Sequence, residues 1–175
     1  MKTKLLSLLV DRSFKYSEEP TFKLASGKTS NYYIDCKKVT LSSDGLLLVG
    51  QLVYEKIKDL DIKGIGGLTL GADPISVAGA LVSSQNGKNI NPFVVRKEAK
   101  GHGTRAYIEG VIEEGDNIVV IDDVITTGGS TIKAIERARK AGFNVVKAVV
   151  LVDREEGGRE AIENIDVPVD PIFTK

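Results

Sequence analysis

Asp122 and Asp123 stand side by side after an apolar run, Ile118 to Ile121, and are followed closely by Thr126, Thr127, Gly128, Gly129, Ser130 and Thr131. Hydroxyls and a glycine pair leading into a helix make an anion site. A helix N-terminus leaves backbone N–H groups unpaired and carries partial positive charge, and glycine lets the backbone come close to a phosphate. The hydroxyls of Thr126, Thr127, Ser130 and Thr131 add donors. A carboxylate pair beside such a site would repel a bare phosphate. It points instead to a ligand that carries both phosphate and hydroxyl groups, a sugar phosphate. An isolated Gly-Gly turn would read more plainly as a strand-to-helix connection with one capping and one solvated carboxylate, but this ordered run favours the site. It is not a P-loop, because no Gly-Lys-Ser/Thr ending supplies a lysine, and Gly66 to Gly71 does not match the dinucleotide fingerprint.

Three further segments could act on such a ligand. Arg96-Lys-Glu-Ala-Lys-Gly-His-Gly-Thr-Arg105 gathers Arg96, Lys97, Lys100, His102 and Arg105. A charge run is usually a solvated loop, yet Gly101 and Gly103 bracket the only histidine of the chain, which suits a mobile lid. Ser26-Gly27-Lys28 joins two short runs bearing aromatic residues and, taken alone, is an exposed hairpin with a solvated lysine. Arg154 lies just past the end of a strand and, on the plain reading, belongs to an exposed acidic turn. A guanidinium there would hold a carboxylate through two parallel hydrogen bonds.

The elements that must position these residues alternate. Leu5, Leu8 and Leu9 suggest a short amphipathic helix at the start. Ser42 and Ser43 offer N-caps for a helix from about Asp44 to Lys58, with Leu47, Leu48, Leu52 and Ile57 on its buried side. Gly64 to Leu70 reads as a strand, and Asp73-Pro74 as the cap and first turn of a helix to about Ser84. Strands are expected at Pro92–Val95, Ala106–Val111, Asn117–Asp122 and Asn144–Asp153, with a helix from Ser130 to Ala141 closed by Gly142. Continuously apolar strands alternating with helices predict an α/β fold with a mostly parallel central sheet flanked by helices. Residues 1–40 break that rhythm and are expected to form a small hood over the carboxyl edge of the sheet, within a single domain spanning 1–175.

Composition narrows the function classes. Lys+Arg and Asp+Glu both number 24, so the formal net charge is zero and no electrostatic footprint for nucleic acid or a membrane surface exists. Cys36 is the only cysteine, which excludes an intramolecular disulfide. No apolar run approaches a membrane span, and a cytoplasmic protein is expected.

Asp122-Asp-Val-Ile-Thr-Thr-Gly-Gly-Ser-Thr131, after its apolar strand, resembles the signature with which type I phosphoribosyltransferases bind phosphoribosyl pyrophosphate (PRPP). Phe22-Lys-Leu-Ala-Ser-Gly-Lys-Thr-Ser-Asn-Tyr-Tyr-Ile-Asp35 is similar to the N-terminal motif of the orotate phosphoribosyltransferases, and the 96–105 loop and Arg154 agree with that family. The resemblance implies the following roles. Asp122 and Asp123 meet the ribose hydroxyls, and Thr126, Thr127, Gly128, Gly129 and Ser130 surround the 5-phosphate. Arg96, Lys97, Lys100 and His102 contact the pyrophosphate, with Lys97, Lys100 and His102 closing over it during catalysis. Lys28, Thr126 and Arg154 meet orotate. Mg²⁺ is implied as a cofactor held mainly by PRPP, and a homodimer in which loop 96–105 serves the neighbouring subunit.

One departure stands out. Some members place a lysine for pyrophosphate where this chain has Gly71, leaving the backbone N–H groups of Thr69 to Ala72 to serve. With the sequence ending at Lys175, no fused decarboxylase domain is expected. The implied reaction is transfer of phosphoribose from PRPP to N1 of orotate. A phosphoribosyltransferase for another nucleobase and a PRPP-sensing regulator remain as alternatives.

Overall fold

The computed structural model describes residues 1–23, 27, 29–103 and 105–175. Its centre is a six-stranded sheet built from β5 (Gly64–Leu68), β6 (Asn91–Val95), β7 (Ile108–Gly110), β8 (Asn117–Ile125), β9 (Asn144–Asp153) and β10 (Val169–Thr174), in the order β10-β9-β8-β5-β6-β7. All neighbours run parallel except β7, which pairs antiparallel with β6 at the edge.

The unbroken apolar strands follow from burial on both faces. Val119, Ile121, Val149 and Leu151 point into one core, while Ile118, Val120, Ala148 and Val150 point into the other. The first core is closed by α1 (Lys2–Ser13), α2 (Lys37–Thr40), α3 (Ser43–Ile57) and α4 (Ala72–Gln85). The second is closed by α5 (Gly129–Lys140) and α6 (Gly158–Glu163), whose Ala134, Ile135, Ala138 and Ile162 are fully buried. Ahead of this frame lie β1 (Phe14–Tyr16), β2 (Phe22–Lys23), β3 (Thr29–Ser30) and β4 (Tyr32–Ile34), which pair as β1-β4 and β2-β3, both antiparallel.

The α/β class and most elements match the expectation. Three details differ. Leu47 is 57% exposed, because α3 packs through Leu48, Val49, Val53 and Ile57 instead. α4 begins at Ala72, before Asp73-Pro74, so Asp73 lies inside the first turn and accepts a hydrogen bond from Thr69 Oγ1 at 2.6 Å. β8 runs on to Ile125, three residues beyond the Asp122 expected to end it, so both aspartates lie within the strand.

Candidate active site

β8 carries the acidic pair to the carboxyl edge of the sheet, and the Thr126–Gly128 turn swings directly into α5. Gly128 has φ +81°, the left-handed region that glycine enters freely, and a Cβ placed there would lie 2.8 Å from the carbonyl oxygen of Gly158. Gly128→Ala is therefore expected to cost about 1–3 kcal/mol. A thermal melt reads this as a fall of several degrees, and an unchanged melting point would show that the turn tolerates a side chain.

Around this turn opens a cavity of about 440 Å³, lined by residues 126–131 together with Asp122, Lys97 and Lys133. Asp122 is almost wholly buried. Its Oδ2 accepts from Thr131 Oγ1 at 2.5 Å and its Oδ1 from the Asp123 N–H at 2.9 Å. Thr131 thus spends its hydroxyl on Asp122, not on a ligand as its place in the run had suggested. Burial, and next the neighbouring Asp123 charge, push the Asp122 carboxyl up to about 7. Asp123 is less buried and accepts from the Val124 N–H at 3.0 Å.

A second cavity of about 370 Å³ adjoins the first across the two aspartates, sharing Leu68, Lys97, Asp122 and Ser130 with it and adding Lys37 and the Thr69–Gly71 loop. Of the backbone donors expected from that loop, the Thr69 N–H is already spent on the carbonyl of Val95 at 2.9 Å. The Thr69–Leu70 peptide is cis.

Lys97 reaches both cavities. Arg96 lies just outside, with its guanidinium on Glu109 at 3.4 Å and the carbonyl of Glu98 at 3.3 Å. Lys100 is 71% exposed, 3.6 Å from Glu109, and His102 is exposed on the loop crest. Neither lines the cavities formed by its own chain. The two roots of this loop are tied to α5. Arg137 donates to the carbonyls of Arg96 and Lys97 and lays its guanidinium 3.9 Å from the ring centroid of Tyr107. Arg137→Met is expected to leave phosphate affinity intact while raising KM for a lid-contacted substrate several-fold. Equal loss of both would mean that Arg137 merely supports the fold.

Arg154 is 2% exposed, and its fork is occupied. It donates to Glu156 Oε1 at 2.9 Å and to Ser30 Oγ at 2.9 Å, and stacks 4.0 Å from the Tyr32 ring. It borders a separate, mainly apolar cavity of about 260 Å³ with Phe14, Ile34 and Phe173, not the one beside the aspartates. Lys28 lies outside the described residues.

Among the described residues no three His, Cys, Asp or Glu side chains converge on a metal-sized site. Asp122 and Asp123 could join a divalent cation's shell only beside oxygens from a ligand. No described helix is long and apolar enough to cross a membrane.

The model of the phosphoribosyl transferase domain matches residues 84–172, which contain the acidic pair, the phosphate turn and α5. A curated orotate phosphoribosyltransferase of Aquifex aeolicus is 47% identical over 172 residues, covering 98% of this chain and 94% of its own. The chain belongs to the orotate phosphoribosyltransferases. The fold agrees. The crystal structure of the Mycobacterium tuberculosis orotate phosphoribosyltransferase superimposes with a TM-score of 0.85 at 35% identity, covering 99% of this chain and 95% of that one. A structure of the same enzyme in complex with PRPP gives 0.80 at 32%, with the same coverage. The type I phosphoribosyltransferase architecture expected from the signature is thus the one observed.

Sequence reasoning about an orotate phosphoribosyltransferase overlooked Lys37 and Lys133. Lys133 sits one turn into α5 behind the phosphate turn and could have been read from helical spacing. Lys37 was hidden in a basic pair whose direction only the fold fixes.

Proposed function

We propose that this chain transfers the 5-phosphoribosyl group of PRPP to N1 of orotate, releasing pyrophosphate and giving orotidine 5′-phosphate for UMP synthesis. The observation that carries the reading is the continuity of the two cavities. A phosphate turn at a helix N-terminus, a carboxylate pair and a lysine-bordered loop follow one another along a single groove, in the order in which PRPP presents phosphate, hydroxyls and pyrophosphate. Breaking the anomeric C–O bond puts positive charge on the ribose ring and negative charge on the leaving group, so positioning and charge stabilisation dominate the catalysis.

In this reading the backbone N–H groups and hydroxyls of Thr126 to Ser130 hold the 5-phosphate. Asp122 and Asp123 orient the ribose hydroxyls and temper the ring's developing charge. Arg96, Lys97, Lys100 and His102 gather on the pyrophosphate and exclude water. Mg²⁺, carried chiefly by PRPP with carboxylate help, would share the leaving group's charge. Lys28 and Arg154 meet orotate, Arg154 by exchanging the Glu156 carboxylate for that of the base. The outward position of Lys100 and His102 favours a homodimer in which each lid serves the partner's groove, and a cytoplasmic setting suits a chain with one buried thiol.

The test is to mix the protein with PRPP, Mg²⁺ and orotate and follow orotate's ultraviolet absorbance. A fall that needs all three and yields pyrophosphate supports the reading. Consumption of PRPP only with another nucleobase would reassign the base, and PRPP binding without any transfer would favour a regulator.

A further inference from the structure

We infer that Lys37 binds the pyrophosphate of PRPP and holds it as it leaves. This rests on the proposed function, since it assigns a residue to the far end of the same groove.

The argument starts from charge. Going along the groove from the phosphate turn, the aspartate pair comes next and the Thr69–Gly71 loop after it. Whatever occupies that far end is polyanionic and lies against two carboxylates. The loop carries no cationic side chain: Gly71 packs so closely that a Cβ would stand 2.5 Å from Asp123 Oδ1, and the Thr69 hydroxyl is spent on Asp73 at 2.6 Å. What remains is backbone donors, of which the Thr69 N–H is already engaged. The cations that border this cavity are Lys97, from the lid root, and Lys37, from the opposite wall.

Lys37 is built into that wall. Its neighbour Cys36 is fully buried, with Sγ 3.9 Å from the carbonyl oxygen of Asp123, so α2 begins against the end of β8 itself. The ammonium is held by Asp35 Oδ1 at 2.9 Å. That hydrogen bond raises the Lys37 pKa, and Asp123 adds to it, so the group stays charged across neutral pH. Partial exposure leaves donors of the ammonium open toward the groove. A lysine that exchanges part of its Asp35 contact for a phosphate oxygen loses little, and gains charge complementarity that strengthens as the leaving group's charge develops.

The experiment is calorimetric titration of the full chain, with Mg²⁺ present, by pyrophosphate and by ribose 5-phosphate, followed by steady-state kinetics with PRPP. Lys37→Met should weaken pyrophosphate about tenfold or more, leave ribose 5-phosphate within twofold, and lower kcat as well as raise KM for PRPP. Lys37→Arg should keep most pyrophosphate affinity, and Lys38→Met, one residue on and exposed, should change nothing. Unaltered pyrophosphate binding in Lys37→Met overturns the assignment, as does parallel loss of ribose 5-phosphate. If Lys37→Met does not fold, equal loss in Lys37→Arg overturns it. Wild-type protein that binds neither pyrophosphate nor PRPP would sink the proposed function itself, before any variant is compared.

Discussion

Lys100→Ala is expected to cut turnover about 10²–10³-fold while leaving PRPP affinity within a few-fold. The expectation comes from where the side chain is and what it leaves behind. In this open arrangement Lys100 is 71% exposed and its ammonium is 3.6 Å from Glu109, an ion pair worth little in water. Truncation should therefore leave the melting point within a degree or so. Lys100 lines neither of the two cavities beside the aspartates. On the proposed reading its contribution therefore arises on closure, when charge has built up on the departing pyrophosphate. Stopped-flow binding of PRPP beside steady-state turnover separates the two quantities. Unchanged turnover removes Lys100 from the mechanism.

Asp122→Asn should lower turnover about a hundredfold and, unusually for an active-site change, make the protein more stable above neutral pH. Burial holds the Asp122 carboxyl at about 7, with the charge of Asp123 the next cause. The folded chain thus keeps a proton between about pH 4 and pH 7 that the unfolded chain has released. Stability then falls as pH rises through that window, and above pH 7 the fold carries the full cost of a buried carboxylate beside another. Asparagine has no charge to bury. Its oxygen can still accept from the Asp123 N–H, and its amide can donate to a rotated Thr131 hydroxyl, so both existing hydrogen bonds have replacements. The gain at pH 8 should be about 1–2 kcal/mol, or several degrees of melting temperature, and should vanish at pH 4. A variant that is less stable at pH 8 would mean that Asp122 is ionised and well solvated in the free protein.

The two variants also test each other. If each lid serves its neighbour's groove, mixing Lys100→Ala with Asp122→Asn creates dimers with one groove intact and one lid intact to close it, and activity returns. Without exchange of lids, the mixture stays inactive.

Much of this arrangement is legible in the sequence, and the reasons are local. The apolar runs 118–121 and 148–152 admit no exposed face, and with helices between the strands a parallel sheet covered on both sides follows from them. The phosphate turn announces itself because hydroxyls, glycines and carboxylates crowd into one stretch. What escaped needed contacts between distant residues. β10 contains Pro171, which argues against a strand, but the strand lies at the sheet edge where one missing N–H is tolerated. α6 is only six residues long, too short for periodicity to register. Arg154 follows directly on the strand end, as the sequence suggests, but nothing nearby along the chain tells that Ser30 and Tyr32 come from the opposite end of the chain to bond and stack on its guanidinium. Leu47 and Leu48 are adjacent and both apolar, and only the packed structure shows that Leu48 joins the core while Leu47 faces out.

α5 opens at the Thr126–Gly128 turn and, eight residues later, uses Arg137 to grip both roots of the 96–105 loop. Those two stations are separated by about 12 Å of helix, at 1.5 Å per residue. Ala134, Ile135 and Ala138 are fully buried in the core beneath the sheet and anchor the second half of the helix. On the proposed reading it would work as a strut. The roots of the 96–105 loop and the phosphate seat would belong to one piece, so that closing the loop left the seat undisturbed. A sugar phosphate could then dock with the loop raised and stay moored while it fell and rose again. The expected order of events has the phosphate-bearing partner first on and last off, which product-inhibition patterns would check; random-order patterns would remove the strut from the mechanism.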